Sequence, residues 1–83
     1  MRFQAHVEVS LKPGHSDPEG DTAAKSLRDL KYNIERVRVV KVYEVTFNAD
    51  SLQRAEEEVE EMCRRLLANP VKDAYHYDVV EVE

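Results

Sequence analysis

The side chains here that could do chemistry are the thiol of Cys63, the imidazoles of His6 and His76, and the segment KPGHSDPEG at 12–20. A nucleophilic cysteine needs a base or a positive setting to form thiolate. Cys63 instead falls on the apolar stripe of an amphipathic segment, as expected of a buried thiol. His6 and His76 sit at outward positions of alternating stretches and could meet on one sheet face. No carboxylate is evidently placed to orient them, so they read as exposed histidines. KPGHSDPEG has the look of a phosphate loop, but it lacks the G-x-x-x-x-G-K-[ST] and G-x-G-x-x-G patterns, and Gly14 and Gly20 are too far apart to form one cradle. It reads as a turn leading into a capped helix whose N-terminus could receive an anion. No residue set makes an active site, and no metal-binding or cofactor-binding residue is expected.

Which elements carry these residues follows from hydrophobic periodicity. From Arg2 to Leu11 the residues alternate, with Phe3, Ala5, Val7, Val9 and Leu11 on one face, as in a half-buried strand. Asp17-Pro18 reads as an N-cap followed by Pro at the first helical position. Ala23, Ala24, Leu27 and Leu30 then recur at helical spacing, and Asn33 is placed to take the left-handed C-terminal position. Residues 34–47 are rich in β-branched and aromatic side chains and hold no turn residue, so one long strand is expected, bent near Val40; a hairpin there is the alternative. Fourteen extended residues span about 46 Å, against about 21 Å for the preceding helix. Such a strand must outrun its own domain and offer an unpaired edge.

A second helix is expected over 52–68, capped by Asp50 or Ser51. Leu52, Ala55, Val59, Met62, Cys63, Leu66 and Leu67 would line its inner face, with glutamates outside and Glu60–Arg64 and Glu61–Arg65 as i,i+4 pairs. Asn69-Pro70 stops it, because Pro cannot continue a helix and biases the residue before it toward extended backbone. Residues 74–82 form a third strand. The fold class is therefore α+β: a single domain over 1–83, a two-layer β-α-β-α-β sandwich with a three-stranded sheet, a long central strand and both helices on one face.

An 83-residue chain buries a small core, and association would help it. A homodimer or tetramer with the sheet continued between copies is expected. The formal charge of −5 disfavours nucleic acid, although Arg36, Arg38 and Lys41 lie close together. No apolar run suits a membrane and no leader is evident; with one cysteine, the expected setting is the cytoplasm.

Five stretches in order carry a family resemblance: VSLKPG at 9–14, DPEG at 17–20, VRVVK at 37–41, EMCRRLLANPV at 61–71 and DAYHYDV at 73–79. Together they resemble the PurS family, the small subunit of phosphoribosylformylglycinamidine (FGAM) synthase. The resemblance implies a non-catalytic assembly subunit that joins a glutaminase subunit to a large synthetase subunit in de novo purine biosynthesis. The complex would use ATP and Mg, with glutamine as ammonia donor, and this subunit would bind no cofactor. It further implies scaffold or contact roles for Lys12, Asp17, Pro18, Gly20, Arg38 and Lys41, and a docking corner at Leu66, Leu67, Asn69 and Pro70. Where similar proteins have Gly, this chain has Val40. The reading from a different class is a small-molecule-sensing domain with its ligand at a subunit interface.

Overall fold

The computed structural model describes all residues, 1–83. The chain runs β1 (Arg2–Leu11), α1 (Pro18–Asp29), β2 (Lys41–Asn48), α2 (Leu52–Met62), a π-helical turn (Cys63–Leu67) and β3 (Asp73–Glu81). The three strands form one antiparallel sheet in the order β2-β1-β3. The expected β-α-β-α-β order and three-stranded sheet are both present, but the central strand is β1 and not the one expected over 34–47, because both β2 and β3 pair with β1.

Alternation in β1 does what its pattern dictates. Phe3, Ala5 and Val7 are fully buried and Val9 nearly so, Ala5, Val7 and Val9 in one cluster with Val59 of α2 and Phe3 beside Phe47, while the even-numbered residues face away. Ala5, Val7, Val9, Val59, Cys63 and Ala68 make the central cluster, flanked by Tyr43, Val45, Phe47, Leu67, Tyr75, Tyr77 and Val79. Ser51 caps α2, its hydroxyl accepting the Arg54 N–H at 3.1 Å. The core is small: only ten residues are buried, and no α1 residue belongs to the cluster.

The expected long strand over 34–47 is corrected: pairing begins at Lys41, and no hairpin forms. The reason is non-local. β2 pairs with β1 only as far as Lys41 opposite Val9, whereas β1 continues along β3 to Leu11 opposite Asp73. Residues 34–40 thus have no neighbouring strand in their own chain. They form a strap beside α1, held by side chains: Arg28 donates to the Ile34 and Glu35 carbonyls, both at 2.9 Å, and Asp17 accepts the Val39 N–H at 3.0 Å.

Helix α1 ends earlier than the sequence suggests, and the left-handed residue is Lys31 (φ 77°), not Asn33. Its start is as expected, with Asp17 accepting the Gly20 N–H at 3.0 Å and Pro18 in the first turn. The α1–strap arm lengthens the molecule. Its Cα radius of gyration is 16.4 Å and its extents are 51 × 29 × 14 Å, against about 12 Å for a compact chain of this length.

The Gly20 position joins helix to strap. A β-carbon there would collide with the Val37 carbonyl and lie 2.7 Å from Asp17 Oδ2. Gly20→Ala should therefore lower unfolding free energy by about 1–3 kcal/mol, as overpacking against backbone does, measurable by chemical denaturation. An unchanged midpoint would show that the strap is not packed there.

Candidate functional site

Two groups of side chains stand out, one at the foot of the α1–strap arm and one at the turn between α2 and β3. At the arm, the Asp17 carboxylate bridges the Gly20 and Val39 N–H groups, and these two hydrogen bonds hold its pKa below the ordinary carboxylate value of 3.8, with Arg38 adding a smaller pull. A hollow of about 370 Å³ is lined by His15, Asp17, Pro18, Lys41 and Lys72 among others. A neighbouring one of about 240 Å³ takes in Lys12, Asp17, Arg36 and Arg38. Lys12, Asp17, Pro18, Arg38 and Lys41 thus gather around one end of the sheet, with Gly20 at the helix start behind them.

At the other group, α2 does not run regularly to Ala68. The Ala68 N–H donates to the Cys63 carbonyl at 3.0 Å, a five-residue step that closes a π turn. The wider turn places Ala68, 5% exposed, over the core. It also swings Leu66 out, so the expectation of Leu66 on the inner face is corrected: it is 84% exposed, while Leu67 stays half-buried. Such turns concentrate at functional sites.

The corner that follows is stiffened by hydrogen bonds. The Asn69 N–H donates to the Asp73 carboxylate at 2.8 Å, and the Val71 N–H donates to the Asn69 side-chain oxygen at 2.9 Å. The Lys72 and Asp73 N–H groups both donate to the Asn69 carbonyl, at 3.2 and 2.8 Å. Lys12 ties this corner to β1, its Nζ donating to the Pro70 carbonyl at 2.9 Å and its N–H to the Lys72 carbonyl at 2.7 Å. Pro70 and Asn69 are exposed, and Val71 is 77% exposed.

The chemistry-bearing residues do not converge. Cys63 is fully buried, and desolvation, with the Glu60 charge second, pushes its thiol pKa up, away from a nucleophile's range. Glu60 accepts the hydroxyl of Tyr75, accepts that of Tyr77 at 3.3 Å, and pairs with Arg64 at 3.6 Å; the expected Glu61–Arg65 ion pair does not form. The hydrogen bond to Glu60 leads the causes that push Tyr75 up to about 12, with burial and the Glu60 charge behind it. This cluster fastens β3 to α2.

His6 and His76 are exposed on the open face. Contrary to the sequence reading, His6 has a carboxylate, Glu8 at 3.5 Å, and the register sets Glu44 and Asp78 opposite His6 and Glu8 opposite His76. The spacing of two along β1 could have revealed the first. No three of these side chains sit together as metal ligands, and no helix is long and apolar enough to cross a membrane.

Known proteins resemble the chain along nearly its whole length. Residues 4–81 match the family model for PurS, phosphoribosylformylglycinamidine (FGAM) synthase. The phosphoribosylformylglycinamidine synthase subunit PurS of Methanothermobacter thermautotrophicus is 40% identical over 100% of this chain and 99% of its own. The structure of Thermus thermophilus PurS superposes with a TM-score of 0.89 at 40% identity, covering 100% of both chains. A chain in the structure of PurLQS from Thermotoga maritima gives 0.87 at 27% identity, covering 96% of this chain and 99% of that one.

Two titrations test this geometry. Asp17, with its depressed value, contributes stability that is complete above 3.8 and lost as pH falls through its lower folded value. Asp17→Asn should flatten the acid limb of a stability–pH curve, and an unaltered limb would contradict the latch. Tyr75, with its raised value, contributes stability that is complete below 10 and lost as pH rises toward about 12. In ultraviolet titration, Glu60→Gln should move the last tyrosine ionisation to lower pH.

Proposed function

As the chain belongs to the PurS family of FGAM synthase, we propose that it serves that complex as a non-catalytic bridge between the glutaminase and synthetase subunits. FGAM synthase is an enzyme of purine biosynthesis, and the chain is an assembly subunit of it. In this reading the complex draws on ATP, Mg and glutamine, all handled by the other subunits. The observation that carries the bridging role is the arm: a strap at 34–40 that continues β2 without a strand beside it, next to exposed Leu30, Tyr32, Val39 and Val42.

The need for such a part is chemical. Ammonia freed from glutamine into neutral water becomes ammonium, which has no lone pair to attack an activated amide carbon. The releasing and consuming sites must be held together with the path between them shielded from solvent. An adaptor does this by offering separate surfaces to separate chains.

The arm supplies the first surface. Free backbone groups on an extended edge pair with another such edge, and a two-fold axis lets the same segment of two copies satisfy each other. The chain accordingly works as a homodimer or tetramer, in the cytoplasm with the rest of the complex. Lys12, Asp17, Pro18, Gly20, Arg38 and Lys41 act as scaffold and contact residues at the arm's foot, and Leu66, Leu67, Asn69 and Pro70 as the docking corner. The ligand-sensing alternative finds no support among the relatives.

Adding the chain to the purified synthetase and glutaminase should raise glutamine-dependent FGAM synthesis by roughly tenfold or more and leave synthesis from added ammonium little changed. Equal glutamine-dependent rates without it would refute the bridge. In sedimentation at micromolar concentration the free chain should be larger than a monomer, and Val39→Asp should dissociate it; a monomeric wild type would remove the strap from the assembly.

A further inference from the structure

We propose that the α2–β3 corner, Leu66 to Lys72, docks into an apolar hollow rimmed by carboxylates on a chain of the complex other than a second copy of this one; this rests on the bridging role above. Leu66 and Val71 are the two most exposed large apolar side chains in the molecule, at 84% and 77%. Neither is on a frayed end. The π turn rotates Leu66 outward from a helix whose periodicity would bury it, and Asn69 fixes the backbone around Val71, its side-chain oxygen accepting the Val71 N–H and its carbonyl the Lys72 and Asp73 N–H groups. Apolar groups held rigidly in water lose little conformational freedom on binding, which is how a pre-organised anchor gains affinity.

Charge selects the occupant. From Arg64 to Lys72 the chain holds three basic side chains, Arg64, Arg65 and Lys72, and no acidic residue, in a chain of formal charge −5. Of the flanking carboxylates, Glu60 is engaged by two tyrosines and Arg64 and Asp73 by the Asn69 N–H, which leaves Glu61, lining one hollow with Arg65, as the only unpaired acid beside the corner. Arg65 and Lys72 make no ion pair. A two-fold interface between copies would set this patch against itself and bring like charges together. A head-to-tail contact with the glutamate face of α2 on another copy would build a ring or an open chain of copies, and not the two-fold pair that the strap edge offers. A different chain, acidic around an apolar pocket, satisfies both the charge and the two anchors.

The test uses the full-length chain with each larger subunit separately, by titration calorimetry at low and high salt. Leu66→Glu and Val71→Glu should each weaken binding to one subunit by roughly tenfold or more, as loss of a central anchor does. Arg65→Glu together with Lys72→Glu should do the same and flatten the salt dependence. Circular dichroism and the sedimentation of the free chain should not change, since all four side chains are exposed. Val80→Glu, at another exposed apolar site on the open sheet face, should bind as wild type.

Wild-type affinity in the Leu66 and Val71 variants would overturn the proposal, as would equal weakening by Val80→Glu. Any self-association of the free chain, closed or open-ended, that Leu66→Glu abolishes would also overturn it, by assigning the corner to a second copy. In either case a wild type that still supports glutamine-dependent synthesis leaves the bridging role standing; failure of the wild type in that assay refutes the bridge itself.

Discussion

A sheet with β1 in the middle can pair residues 41–48 on one side and 73–81 on the other, and has nothing to offer residues 34–40. The shape of the molecule follows from that shortage. The strap takes side-chain hydrogen bonds from Arg28 and gives one to Asp17, which bind it to α1 instead of to the sheet. Helix α1 is thereby committed to the strap, and the hydrophobic cluster is left to β1, α2 and the inner faces of β2 and β3. A chain that divides itself this way has a core of minimal size and an arm with few apolar contacts of its own. Folding alone leaves Leu30, Tyr32 and Val39 in water, and association is the available way to cover them.

The junction after α2 solves a different problem. β3 must return antiparallel to β1 with Tyr75, Tyr77 and Val79 inward, and the chain must turn sharply to do so. The helical backbone ends at Leu67 with Ala68 extended, Pro70 bars its resumption, and Asn69 satisfies the turn with its side-chain and main-chain oxygens. The π turn before it adds one residue per turn and brings Ala68 onto the core. The small residue fits where the strand enters, and the leucine two places earlier is displaced to the surface. A regular helix would have buried Leu66, so its exposure is a consequence of turn geometry and not of composition.

These two regions mark where the sequence was readable. Alternation in Arg2–Leu11, the Asp17-Pro18 cap, a cap at Asp50 or Ser51 and a stop before Pro70 are local signals; each is present in the structure, the second cap falling to Ser51 and the stop after Leu67. Whether an extended-favouring run such as 34–47 is paired depends on strands elsewhere in the chain, so β-propensity could not place the boundary at Lys41. A period of 3.6 places Leu66 inward, and the segment Cys63–Leu67 does not keep that period. The positive φ at Lys31, where Asn33 two positions on has the better propensity, shows that helix length overrode residue preference. Of the candidate site residues, Asp17 gains its second role, as latch of the strap, and Gly20 its packing role only once Val37 and Val39 are seen against α1.

The two surfaces recognise by different means, and that difference suits a connector. A strap edge presents backbone groups that every chain possesses, so its natural partner is a copy of itself, related by symmetry and indifferent to most side chains. The corner presents side chains of one charge around two fixed apolar anchors, which makes self-pairing unfavourable and a foreign, complementary surface favourable. If both surfaces worked through backbone edges, copies would compete with the larger subunits for the same contacts. In the proposed role, separating a self-complementary mode from a charge-selected one would let self-assembly and docking proceed without interference, within a chain too short to bury two independent cores.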